Sequence, residues 1–420
     1  MKRIVSLFLM AALLLAVVGT VSAEGKTIVY WSMWEAAEPQ GQVIQKAVDA
    51  YMAETGNKVD LQFKGRTGMR EGLQPALDAG TVIDLFDEDI DRVNFQWGTY
   101  LLDLEELAKA ADYEATANAG LMAVARANGG GTLKSIPYQP FIFNYFYNVD
   151  LFEDAGVTEA PATWEAFMEA CQKLKDKGYI PVTSDDAYVL LTMGYHLARL
   201  VGEEQVDKIV KEGLWAEEPA VLKAAQDFEE MAKKGFFSPT IASSAFPANQ
   251  NGELALGEAA MYLNGSWLPN EVKAMTGPDF NWGCFPYPEL EGGVTGLNHA
   301  NFGGQVYGIN AKTEVAQEAF DIILKVTKGE FDSQLSQESM GVPSDTNNSQ
   351  WPDSLKNVKP VYDAITKAYE SDPAIRFSWG AGIENNPDMT PIIKQEVQKL
   401  FSGAITAEEF VNNLETASSK

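Results

Sequence analysis

The chain has 420 residues, with 32 basic and 59 acidic side chains and a formal net charge of −27. So acidic a surface repels nucleic acid and anionic lipid and favours a neutral or cationic ligand, although global charge says little about a buried pocket. Two cysteines cannot build a disulfide framework, and at about 150 residues per domain the length suits two or three domains.

Lys2-Arg3 is followed by an uncharged apolar run from Ile4 to Val18 and by Val21-Ser22-Ala23, the small-residue pattern that a signal peptidase reads. A membrane-spanning helix needs about 20 apolar residues, whereas this run is shorter and gives way to Glu24-Gly25-Lys26. Cleavage after Ala23 is expected. It leaves 397 residues and, without Lys2 and Arg3, 30 basic against 59 acidic side chains, a net charge of −29. No cysteine stands at the new N-terminus to take a lipid, so free diffusion is expected, as in the periplasm of a cell with two membranes. Cys171 shares the apolar side of a helical stretch with Trp164, Phe167 and Leu174, and Cys284 sits in an aromatic strand-like run. Two buried thiols are the expected state.

Thr27–Ser32 is rich in strand formers, and Val43, Ile44, Ala47, Val48 and Tyr51 recur at helical spacing up to a stop at Gly56. Val59, Leu61 and Phe63 alternate as a second strand. A helix through Leu73 and Leu77 then ends at Gly80, ahead of a third strand over Val82–Phe86. Strands and helices in this alternation predict a doubly wound α/β lobe, whose ligand sits beyond the carboxyl ends of the strands, near Ser32–Glu35 and Asp87–Asp91. The middle of the chain carries longer helical stretches around Trp164–Lys175, Val189–Val201 and Ala220–Lys234, which implies a second, more helical lobe. No low-complexity linker separates the two, so several strand crossings are expected to join them.

Motifs for chemistry are sparse. His196 and His299 belong to no zinc pattern, and His196 is expected as a satisfied, partly buried side chain. No nucleophile elbow or Walker loop is present, and Gly129-Gly130-Gly131, preceding a strand, reads as a hairpin turn. Asp87, Asp89 and Asp91 alternate as in a calcium loop, but Arg92 and Gly98 stand where that loop needs Gly and a bidentate Glu. No metal and no cofactor are therefore expected. The same carboxylates suit a polyol, and flat aromatics such as Trp31, Trp34, Trp267 and Trp379 suit sugar faces; Trp164 and Trp215, on helices, are expected in packing.

The ordered motifs carry a resemblance. Ile28-Val29-Tyr30-Trp31-Ser32-Met33-Trp34, Ala79-Gly80-Thr81-Val82-Ile83-Asp84, Ile136-Pro137-Tyr138 and Tyr147-Asn148-Val149-Asp150-Leu151-Phe152 are followed by Pro161-Ala162-Thr163-Trp164. Later come Gly257-Glu258-Ala259-Ala260-Met261, Asn264-Gly265-Ser266-Trp267, Phe285-Pro286-Tyr287-Pro288, Gly303-Gly304 and Gly341-Val342-Pro343. Together they resemble the extracellular solute-binding proteins of ABC sugar importers, the maltose-binding-protein-like group, over essentially the whole chain. Ile83 departs from the usual proline.

The resemblance implies an α/β type II periplasmic-binding fold of two discontinuous lobes around a ligand cleft and hinge. It implies no enzymatic activity, a carbohydrate ligand, the importer's permease subunits as partner, and a monomer. The implied lobes are residues 24–139 with 310–342, and 140–309 with 343–420, after a signal peptide over 1–23. Its implied ligand contacts are Trp34, Glu35, Asp87, Glu88 and Asp91 in the first lobe and Asp185, Asp186 and Trp267 in the second. Tyr138, Gly303, Gly304 and Trp379 complete the set. A polyamine, osmolyte or peptide ligand, or a glycoside hydrolase with paired carboxylates, are the rival readings.

Overall fold

The computed structural model describes residues 25–277, 279–347 and 350–419. The expected signal segment lies outside them. Eight strands are present among the described residues: β1 (Thr27–Ser32), β2 (Lys58–Phe63), β3 (Leu85–Asp89), β4 (Ser135–Asn148), β5 (Ile180–Val182), β6 (Ala259–Gly265), β7 (Trp282–Phe285) and β8 (Phe302–Ile309). They follow the order β2-β1-β3-β8-β4-β6-β5, with β7 also on β4.

The first half is the expected alternation. β1 pairs in parallel with β2 and β3, linked by the helices Pro39–Thr55 and Gly65–Asp78. Gly56, with φ 74°, ends the first helix, a backbone state that costs glycine nothing. The third strand begins three residues later than its hydrophobicity predicts. Val82 is exposed and Ile83-Asp84 is irregular, held because Asp84 accepts Val29 N–H at 2.8 Å and the Thr313 hydroxyl at 2.6 Å. The glycine run Gly129-Gly130-Gly131 is also placed differently: it closes the helix Ala119–Asn128 ahead of β4 and is not a turn between two strands.

β4 is the main crossing. Its first part pairs antiparallel with β8 from Ser135 to Ile142, and its second part pairs with β6 over Phe143–Tyr147 and with β7 over Tyr145–Asn148. The register slips at Gln139, a bulge in which this non-glycine residue takes φ 45°.

The pairing moves the expected lobe boundaries. β8 is hydrogen-bonded to β3 from Gln305 to Ile309, so 302–309 belongs with the first half and not with the second. The helix Lys359–Ser371 goes with it, because Tyr362 accepts from Asn118 at 2.9 Å and Tyr369 stacks on Phe302 at 4.8 Å. We therefore draw the first lobe as residues 25–139 with about 302–371, and the second as about 142–300 with 377–419.

In the second lobe the helices Trp164–Asp176, Val189–Val201 and Pro219–Lys234 stand where the sequence places them. His196 is fully buried between the Tyr287 hydroxyl and Asp227, and Cys171 and Cys284 are separate buried thiols. Trp164 packs on Phe167 and Phe228, and Trp215 is fully buried. No helix among the described residues is long and apolar enough to cross a membrane.

Asp84 gives a direct test of this frame. Asp84→Ala strands one backbone donor and one hydroxyl and should lower unfolding free energy in urea by about 3 kcal/mol while leaving the cleft intact.

Candidate ligand-binding site

A cleft of about 650 Å³ opens between the lobes, beyond the carboxyl ends of β1 and β3 and alongside the bulge in β4. Its two walls differ in chemistry.

On the first-lobe side, Trp34 follows the end of β1. Its Nε1–H donates to the Tyr138 hydroxyl at 2.7 Å, Tyr138 donates to Asp87 Oδ2 at 2.6 Å, and Tyr30 donates to Asp87 Oδ1 at 2.8 Å. This buried chain fixes the indole, and the Arg66 guanidinium lies 4.7 Å from its ring centre. Burial pushes the Asp87 carboxyl up to about 7, against the pull of its two tyrosine donors.

Arg66 and Arg70 sit one turn apart on the helix Gly65–Asp78, and Arg92 opens a short π-helical turn, Arg92–Gln96; all three line the cleft. Arg66 pairs with Glu38 at 2.9 Å. Asp91 pairs with Arg376 at 2.8 Å and accepts from Asn128. Asp89, between them, is pushed up to about 6 by burial and by the neighbouring Asp91 charge.

The second-lobe wall is aromatic. Trp267 and Trp379 lie nearly parallel at 6.3 Å, Phe141 meets Trp267 edge-on at 5.2 Å, and Tyr188 meets Trp379 at 6.2 Å. Phe143 supports Tyr188, Trp267 and Trp379 from beneath. Gly265 makes the Trp267 pose possible: a Cβ there would meet three atoms of the indole at 2.3–2.4 Å, so the ring rests on bare backbone.

Between the walls, four cleft-lining residues carry a buried side-chain amide oxygen without a protein partner among the described residues: Gln139 Oε1, Asn270 Oδ1, Asn301 Oδ1 and Gln305 Oε1. A buried polar atom left unsatisfied is costly, so each is an acceptor with capacity for a further donor. Glu271, open to the cleft yet enclosed by its walls, is pushed up to about 7 by burial and by the Asp185 charge.

Comparison with known proteins decides the class. The bacterial extracellular solute-binding protein family matches residues 36–323. The chain belongs to this family. Its members bind and carry solutes and are not enzymes. The diacetylchitobiose binding protein NgcE of Streptomyces coelicolor is 27% identical over 237 residues; the match spans 54% of this chain and half the length of that relative. Among solved structures, a chitin oligosaccharide binding protein superimposes with a TM-score of 0.69 at 21% identity, covering 94% of this chain and 98% of the other. A Bacillus licheniformis sugar transporter in complex with stachyose gives 0.64 at 17%, covering 93% and 98%, and RafE in complex with raffinose gives 0.68 at 16%, also covering 93% and 98%. At these identities the structures establish the shared fold.

Of the ligand contacts that the resemblance implies for this solute-binding protein, the structure places Trp34, Asp91, Trp267 and Trp379 at the cleft. The other expected contacts stand behind the surface or outside it. Asp87 and Tyr138 are fully buried beneath Trp34 and hold it. Glu88 is fully buried and holds Arg70 Nε at 2.9 Å and Arg92 Nε at 3.2 Å. Asp185 caps the turn that presents Tyr188 and accepts from Tyr262, while Asp186 turns away to Phe246 N–H and toward Lys394. Glu35 is exposed, its carboxylate packed against Gly65. Gly303 and Gly304 face Phe141 and the Tyr138 carbonyl, where a side chain would press on β4, and neither is among the residues lining the cleft.

What sequence reasoning missed are the three arginines and the four amides. Arg66 and Arg70 carried a signal, an i, i+4 pair beside a strand end; Gln139 carried none, because its place depends on a bulge.

Two outcomes check this geometry. Gly265→Ala displaces the indole, so it should weaken ligand binding nearly as much as Trp267→Ala, read by calorimetric titration. Asp87 has a folded-state value near 7 against about 3.9 unfolded, so its contribution to stability is greatest below pH 4 and is lost as pH rises toward 7. Across that window the unfolding free energy of the wild type should fall more steeply than that of Asp87→Asn, by up to about 1.4 kcal/mol per pH unit.

Proposed function

We propose that this solute-binding protein captures an oligosaccharide between its lobes and delivers it, as a monomer, to the permease of an ABC importer. The observation that carries this reading is the pairing, in one cleft, of an aromatic wall with four unpartnered amide acceptors. Flat rings take the C–H faces of pyranoses at low entropic cost, and carbonyl oxygens take their hydroxyl protons. The names of the similar proteins, which include diacetylchitobiose, chitin oligosaccharide, stachyose and raffinose binders, support the same class. Three arginines in the cleft weigh against a polyamine.

Closure follows from contacts that only both lobes together can offer: a ligand touching Trp34 and Trp267 stabilises the state in which the two walls approach. Lys273, on the second-lobe helix Leu268–Thr276, already donates to the Glu338 carbonyl of the first lobe at 2.8 Å, beside the cleft-lining Asn270 and Ser339. The features at residues 1–23 support export and release of the mature chain at Glu24 into the periplasm without a lipid.

A thermal-shift panel of mono- and oligosaccharides, polyols and polyamines tests the ligand class. A true ligand at about 100 times its dissociation constant adds about 2.7 kcal/mol to stability, and only oligosaccharides should do so. Trp267→Ala should weaken that ligand by about 2–4 kcal/mol while the apo protein unfolds at nearly the wild-type denaturant midpoint. Stabilisation by polyamines and not by sugars would overturn the reading.

A further inference from the structure

The charge in the cleft is arranged unlike the charge on the rest of the surface. Glu88 is fully buried; it accepts from the Asp89 backbone N–H and from Arg70 Nε at 2.9 Å, and it forms an ion pair with Arg92, whose Nε lies 3.2 Å away without hydrogen-bond geometry. Two cations thus share one anion. In both pairs the nitrogen nearest Glu88 is Nε, and no terminal nitrogen of either guanidinium donates to it among the described residues. Neither Nη of Arg70 nor Nη2 of Arg92 donates to a protein acceptor among the described residues, and Arg92 Nη1 reaches Gln96 only at 3.4 Å. Both side chains line the cleft and are partly exposed to it.

Apart from Glu88, no carboxylate of the cleft pairs with Arg70 or Arg92 among the described residues. Glu38 is taken by Arg66 and Asp91 by Arg376. The other two carboxylates in the cleft, Asp89 and Glu271, are pushed up to about 6 and about 7, so their surroundings resist the charged form.

Resting on the oligosaccharide reading above, we infer that the ligand is an acidic oligosaccharide, one of whose rings bears a carboxylate that the free edges of Arg70 and Arg92 bind. A guanidinium fork matches a planar carboxylate with two parallel N–H···O bonds, and two forks fixed by one buried anion need little reordering to receive it. The overall charge of −27 slows the approach of such a ligand and does not set the sign of the pocket.

The test is calorimetric titration of the mature wild-type protein with digalacturonate, trigalacturonate and a glucuronic-acid-bearing xylo-oligosaccharide. Their neutral counterparts, galactobiose and xylotriose, are run beside them, with raffinose, stachyose, diacetylchitobiose and a sulfated disaccharide. At least one uronate oligosaccharide should bind tenfold or more tightly than its neutral counterpart, and more tightly than the sulfated one. Arg70→Gln and Arg92→Gln should each weaken it tenfold or more, a larger loss than either causes for its neutral counterpart. Arg70→Lys should restore only part of the loss, because an ammonium lacks the fork. Tightest binding of a neutral sugar, or an equal loss for neutral and acidic sugars in the glutamine variants, overturns the inference and leaves the oligosaccharide reading standing. Tightest binding of the sulfated sugar overturns the carboxylate. Failure of every carbohydrate to bind overturns both readings together. The wild-type comparison decides even where a variant folds poorly.

Discussion

β4 hydrogen-bonds to β8 along its first eight residues and to β6 and β7 along the rest, so both walls of the cleft hang on one continuous stretch of backbone. A strand shared between two half-sheets is a hinge of a particular kind: it transmits register and cannot slide without breaking ladder bonds on both sides. The bulge at Gln139 sits where the two pairings meet. It turns the strand, aims Gln139 at the cleft and lets Phe141 begin the aromatic wall two residues later.

Around that strand the functional side chains are held by a layer of buried polar groups. Asp87 and Tyr138 hold Trp34, Glu88 holds Arg70 and Arg92, and Asp185 sets the turn of Tyr188. Burying Asp87 and Asp185 costs desolvation, seen as their upward shifts, and both offset part of it by accepting from tyrosine hydroxyls, whereas Glu88 is matched by arginine charge. The result is a surface whose rings and forks are fixed before a ligand arrives. A pre-organised surface binds more tightly than a loose one with the same contacts.

The division of labour between the walls follows from composition. The first lobe presents arginines from a helix and a π-turn; the second presents rings stacked on Phe143 and on the bare backbone of Gly265. A ligand satisfied by one wall alone leaves the other unpaired, and closure is thereby tied to recognition.

The amino-acid sequence by itself determined the class of fold, the alternation of the first lobe, and the strand ends where ligands gather, because hydrophobic period and glycine stops are local properties of the chain. It also singled out Trp34, Asp91, Trp267 and Trp379, through motifs and aromatic clustering. Only the tertiary structure decided that Asp87, Glu88, Tyr138 and Asp185 stand behind the contact surface. It likewise decided that Gln139, Asn270, Asn301 and Gln305 reach the cleft, and that β8 and the helix Lys359–Ser371 belong to the first lobe. Whether a carboxylate faces a ligand or supports its neighbour depends on which residues, as far as 77 positions away for Asp185 and Tyr262, fold on top of it. No local pattern carries that information.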